Sequence, residues 1–242
     1  MTAPVWQTAG QQARLMIRAA LVGPTGSGKT RICSTFPNPK FIFPLNEDSK
    51  TTIMGTGLPF TEVGSTNEMI AALQSLVAAN AAGHFRGEEH TVCAESFSHY
   101  SELVEAEFTR GGATDLDWSK YNAHFKQVRD LLWSLTDCHV VVSMLDHVKT
   151  DRKGNMTSHE PKLVGRAATT FVSSCTLLAF CDQEPPTPFR NHPQWVAHTQ
   201  QAGAFSARTR IPGMPPGIHP NFNFYEHIAP YLPQYQQRPS AA

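Results

Sequence analysis

Eight consecutive residues, Gly23-Pro24-Thr25-Gly26-Ser27-Gly28-Lys29-Thr30, fit the pattern G-x-x-x-x-G-K-[ST] without a mismatch. The pattern constrains the fold because it works only where a strand runs through a loop into a helix. The setting agrees: residues 15–22 (LMIRAALV) are apolar and β-prone, and a helix-compatible stretch follows Thr30. Glycines let the loop turn tightly and bring successive backbone N–H groups around a phosphate. The first turn of the next helix adds unpaired N–H groups and the positive end of its dipole. In such a P-loop Lys29 reaches the β- and γ-phosphates, and the Thr30 hydroxyl ligates Mg²⁺. Residues 23–30 are therefore expected to bind a nucleoside triphosphate.

At 242 residues the chain suits one α/β domain with a substantial core. Its 20 Lys and Arg balance 20 Asp and Glu, so any polyanion binding must come from a local cluster. No apolar run is long enough to span a membrane, and the N-terminus lacks the basic-then-apolar order of a secretory signal. Five scattered cysteines, an odd number with no C-x-x-C pair, read as reduced core thiols of a cytoplasmic protein.

Apolar runs at 40–45, 90–94, 138–145 and 174–180 read as strands. Residues 65–82 read as an amphipathic helix with Ser65 as N-cap and Glu68 as its capping-box partner. Residues 98–109, 118–135 and 163–173 look helical as well. Strands alternating with helices predict a parallel sheet with crossover helices. Residues 196–210 are expected to form a hairpin between two Pro-rich stretches, and the Pro/Gln-rich end to lie outside the core.

A P-loop needs a second acid to position Mg²⁺ and a group that orients the attacking water. Glu95, Asp146 and the pair Glu47-Asp48 each end a strand, where ligands of doubly wound sheets lie. Asp146 and His147 also follow the most apolar strand, where a γ-phosphate sensor would be useful.

The order of GPTGSGKT, KFIFPLNED, TVCAES, VVVSMLDH and ARTRIPGMPPGIHPNF resembles the RecA-like recombination ATPases. It is most similar to the small phage proteins of the Sak type, which assist single-strand annealing. The resemblance implies an α/β P-loop NTPase fold: a RecA-like core at 13–228 with a central, mostly parallel sheet flanked by helices. A C-terminal β-hairpin, an N-terminal tail at 1–12 and a Pro/Gln-rich tail at 229–242 complete it. By position in that family, Glu47 activates water, with Asp48 a rival. Glu95, where the family has Asp, holds Mg²⁺ with Thr30, and His147 senses the γ-phosphate.

The same resemblance makes residues 148–162 a DNA-contacting loop, with Lys149, Arg152 and Lys153 binding single-stranded DNA through phosphates. Residues 110–117 correspond to a second DNA-facing loop. Arg208 and Arg210 correspond to basic residues that reach a neighbouring subunit's γ-phosphate, which implies a homo-oligomer, ring or filament. The family's long N-terminal oligomerisation region is not seen. The expected function is ATP hydrolysis coupled to single-stranded DNA in recombination, alongside a single-strand-binding or annealing protein. The alternatives are a nucleotide-dependent switch or assembly protein with little hydrolysis, and, more remotely, a small-molecule kinase.

Overall fold

The structure, a computed structural model, describes residues 14–109, 115–151, 153, 156–163, 165, 171–188, 190–201 and 206–236. Strand β1 (Arg18–Val22) leads through the P-loop into helix α1 (Lys29–Ser34). Then come β2 (Pro39–Pro44), β3 (Phe60–Val63), α2 (Thr66–Ala81), β4 (Thr91–Ala94), α3 (Phe97–Phe108), α4 (Trp118–Trp133) and β5 (His139–Met144). Strands β6 (Asp146–Thr150) and β7 (Met156–Pro161) form a separate antiparallel hairpin. The main sheet resumes with β8 (Leu177–Glu184), β9 (Gln194–His198), β10 (Arg208–Thr209) and β11 (Ile218–Pro220).

The spatial order is β11-β9-β8-β1-β5-β4-β2-β3, and every pairing from β3 through to β8 is parallel. This mostly parallel α/β sheet is the core of a P-loop NTPase. Parallel strands need both faces covered, and β1 shows how. Ala20 and Val22 enter the core under α2, α3 and α4, while Ala19 and Leu21 point to the opposite core with Ile32 and Phe224. That is the period-2 alternation of a strand, here apolar on both sides. At α2, Ser65 caps the Glu68 amide at 3.2 Å, and the Glu68 carboxylate reaches back to the Gly64 amide at 2.7 Å.

Four expectations change. The short β3, exposed over half its length, was not expected. Within the expected loop, residues 148–150 and 156–161 are strands of the β6–β7 hairpin. The expected 196–210 hairpin does not form: β9 folds back on the carboxyl half of β8, and β10 pairs with Leu177 and Leu178 at its amino end. The two strands share one edge of β8 instead of pairing with each other.

The stretch from 229 onward is not a detached tail. Ala229 and Leu232 are buried, and Gln234 exchanges hydrogen bonds with Leu15 at 3.1 and 3.2 Å. Residues 1–13, which hold the expected N-terminal tail, and 237–242 lie outside the described residues.

Candidate functional site

Several strands release their chains at the same carboxyl edge of the sheet, and the loops that follow line a cleft of about 910 Å³. The P-loop after β1 forms one wall, Asn46–Asp48 after β2 another, and Glu95-Ser96 after β4 the floor. Gly23 has no substitute at its position: a Cβ there would lie 2.0 Å from the Cys181 carbonyl oxygen. Gly28, at φ +82°, occupies the left-handed region that favours glycine and presses against the Trp195 indole.

Lys29 folds back over this loop. Its Nζ donates to the carbonyls of Gly23 (2.8 Å) and Pro24 (2.7 Å) and to the Ser27 hydroxyl (3.3 Å). Burial lowers its pKa, against the opposing pull of Cys181, Glu95 and Asp146. A phosphate oxygen entering the loop offers the ammonium a charged acceptor in exchange for two neutral ones.

The Thr30 hydroxyl donates to Glu95 Oε2 at 3.0 Å, and Ser143 on β5 donates to the same oxygen at 2.6 Å. Glu95 is buried, which raises its pKa despite the surrounding donors, and its Oε1 has no hydrogen-bond partner. An unsatisfied buried carboxylate oxygen beside a hydroxyl is a hard-oxygen donor set that fits Mg²⁺. Among the described residues no cluster of three or more His, Cys, Asp or Glu gathers to hold an ion.

Glu47 lies across the cleft, buried, while Asp48 beside it is exposed. One Glu47 oxygen accepts from the Ser49 amide at 3.1 Å, and the other meets His99 Nδ1. Burial pushes the carboxyl up, but the Ser49 and His99 donors outweigh it and hold the pKa below the ordinary carboxylate value.

Two expected residues are elsewhere. Asp146, close enough for its charge to act on Lys29, is engaged by His159 Nδ1 at 2.7 Å across the hairpin and does not line the cleft, and His147 lines a neighbouring cavity with Lys149 and Glu160. His147 is therefore not a wall of the phosphate cleft, because the strand pairing of β6 turns it away. Arg208 and Arg210 are also remote from this cleft. β10 lies level with the middle of β1, and both guanidinium groups donate to carbonyls, Val172 for Arg208 and Ser173 for Arg210.

Of the expected DNA contacts, Lys149 is ion-paired to Glu160 at 2.6 Å, and Lys153 is exposed at the hairpin turn. Arg152, with residues 110–114 of the second expected loop, lies outside the described residues.

Reading the sequence missed Ser143, His99 and Trp195. Trp195, on β9, donates its indole N–H to the Gly26 carbonyl at 3.0 Å, and the Arg31 guanidinium lies 4.7 Å from its ring centre. It separates the phosphate cleft from a second cavity of about 590 Å³ lined by Arg190, Asn221 and Phe222. A Trp 166 residues downstream of Lys29 carries no local signal for that placement.

The five cysteines are free and buried, as expected of core thiols. No helix among the described residues is long and apolar enough to cross a membrane. A solved structure described as a prototypical ATPase from the type III secretion system of pathogenic bacteria aligns with the chain at 11% identity and a TM-score of 0.45. The alignment covers 69% of this chain and 51% of that one, so the chain spans about half of that ATPase's length. No curated protein matches the chain. The family model described as "AAA domain" (AAA_24) matches residues 16–211, most of the sequence and the whole of the cleft. With that match and the phosphate-binding loop at its centre, the chain belongs to the AAA domain family and is a nucleotide-binding, AAA-type P-loop ATPase domain.

Proposed function

We propose that this domain hydrolyses ATP in response to single-stranded DNA and serves recombination, by annealing or strand exchange, in the manner of the Sak-type phage proteins it resembles. The observation that carries the hydrolytic part is the convergence of Lys29, Thr30, Glu95 and Glu47 on one cleft. The P-loop amides and Lys29 bind the β- and γ-phosphates. Bound Mg²⁺ would neutralise the phosphate charge that builds up during transfer, held on the side of Thr30 and Glu95. Glu47 orients and deprotonates the attacking water. The cavity behind Trp195 takes the nucleoside, beside the Arg31 guanidinium that stacks on the indole.

The DNA part rests on the β6–β7 hairpin, which follows directly from β5 and carries Lys149 and Lys153; Arg152 stands beside Lys153 in the sequence. Backbone phosphates recognised by such residues give binding without sequence preference that weakens with salt. Arg210, exposed at the far end of the sheet, is the arginine available to a neighbouring copy in a ring or filament. A single-strand-binding or annealing protein is the partner this role calls for.

The test is phosphate release against single-stranded DNA length, for the native protein and Lys29→Ala. Stimulation by DNA that the substitution abolishes supports the reading. Equal rates with and without DNA, together with no DNA binding in low salt, would sink it.

A second reading, a nucleotide-dependent switch with little turnover, is favoured by one observation: both oxygens of Glu47 are already engaged. Tight Mg·ATP binding with negligible phosphate release, DNA present or absent, would select it.

A further inference from the structure

A carboxylate that takes a proton from water needs a lone pair aimed at that water. In Glu47 each oxygen already accepts one hydrogen bond, which leaves one lone pair apiece and fixes where both can point. Oε1 accepts from the Ser49 amide, Oε2 is held by His99 Nδ1, and the residue is 7% exposed. The Ser49 contact is local, two residues along the same turn. The His99 contact is not: it bridges β2's exit to the first turn of α3, 52 residues away.

That first turn is itself poised. Ser96, which joins the Glu95 floor to α3, sits at φ +50°, a left-handed conformation that a non-glycine residue adopts at a cost. Its amide donates to Ser143 at 2.9 Å, and its hydroxyl lies 3.5 Å from that of Ser49. The hairpin is tied to α3 on both sides of His99. Ser98 accepts from the Leu145 amide at 2.9 Å, and Glu102 pairs with Lys162 at 2.8 Å, at the two feet of β6–β7. A displacement of the hairpin therefore pulls on the helix turn that carries His99.

We propose that His99 is a positioning residue that holds the Glu47 carboxylate away from the attacking water, and that movement of α3 releases it. This rests on the assignment of Glu47 as the base for ATP hydrolysis. The imidazole does no chemistry on the nucleotide; it sets how often Glu47 is free. Because the contact is absent from phosphate binding, it acts on kcat and leaves the affinity for Mg·ATP alone.

The experiment measures kcat and KM for Mg·ATP without DNA in the native protein, His99→Ala, His99→Asn and Glu47→Gln. His99→Ala is expected to raise kcat by about fivefold with KM within about twofold, as when one charge-assisted hydrogen bond no longer has to be broken first. His99→Asn, whose amide nitrogen can stand near the position of Nδ1, restores the low rate. A helix merely loosened by the substitution would lower kcat and would not be rescued by asparagine. An unchanged or reduced kcat in His99→Ala, or no turnover in any of the proteins, overturns the proposal. If Glu47→Gln keeps the native rate, the underlying assignment of the base has failed instead, and the His99 restraint with it.

Discussion

Thr30 and Glu95, 65 residues apart in the chain, share a hydrogen bond of 3.0 Å between hydroxyl and carboxylate. One stands at the start of α1 and the other at the end of β4, and β5 lies between β4 and the β1 strand that feeds the P-loop. The sheet brings together the hydroxyl that ligates the metal in P-loops and the acid proposed here to support it.

Replacing Glu95 by glutamine keeps an acceptor for Thr30 and Ser143 but removes the negative charge. The Mg²⁺ concentration needed for half-maximal ATP turnover is expected to rise by about ten- to a hundredfold, the usual effect of losing a carboxylate that supports a metal ligand. A metal titration of phosphate release reads this directly. An unchanged midpoint would remove Glu95 from the metal site.

Trp195 braces the phosphate loop through the Gly26 carbonyl and lies against Gly28. Trp195→Ala is expected to weaken Mg·ATP binding by about tenfold, or about 1.4 kcal/mol. Trp195→Phe keeps the ring but not the N–H donor, and should fall between the two. Calorimetric titration checks the order; equal affinity in all three would show that the indole supports nothing at the site.

Glu89 supplies a pH-dependent attachment of the C-terminal segment. Burial pushes its carboxyl up, but the buried His139, 3.7 Å away, and the Tyr235 hydroxyl hold the net pKa below the ordinary value of 4.5. A depressed carboxylate pKa stabilises the fold fully above the unfolded value, and that stability is lost as pH falls through the folded one. The gap in Tm between the native protein and Glu89→Gln should therefore be open at neutral pH and close below pH 4.5. A gap that stays constant through acid would refute it.

Phe224 anchors the same segment, fully buried with its ring 4.8 Å from Phe36 and 5.7 Å from Tyr235. Phe224→Ala should cost about 3–5 kcal/mol by denaturant unfolding, the range for emptying a buried aromatic site. A loss below about 1 kcal/mol, the scale of an ordinary surface change, would mean that the segment beyond β11 is not part of the cooperative core.

Much of the site was legible because its chemistry is local. The glycines, Lys29 and Thr30 act within eight residues, and Glu47 and Glu95 each close an apolar strand that periodicity alone marks. The helix at Thr66–Ala81 was equally plain, since Ser65 and Glu68 state its start in four letters. The β6–β7 hairpin was harder. Its strands are mostly exposed and polar, so no apolar run announces them.

The order of residues alone was enough to specify a phosphate-binding loop between a buried strand and a helix, with acids at the strand ends. Those features depend on backbone conformation and burial over a few neighbouring residues, which amino-acid type dictates directly. Which side chains meet across the sheet came from the folded arrangement. It set Trp195 on the loop, His99 on Glu47 and Ser143 on Glu95, and it turned His147 and the two β10-region arginines away. Such pairings follow from strand order and from which edge of β8 each later segment occupies. A linear chain carries no short-range signal for either.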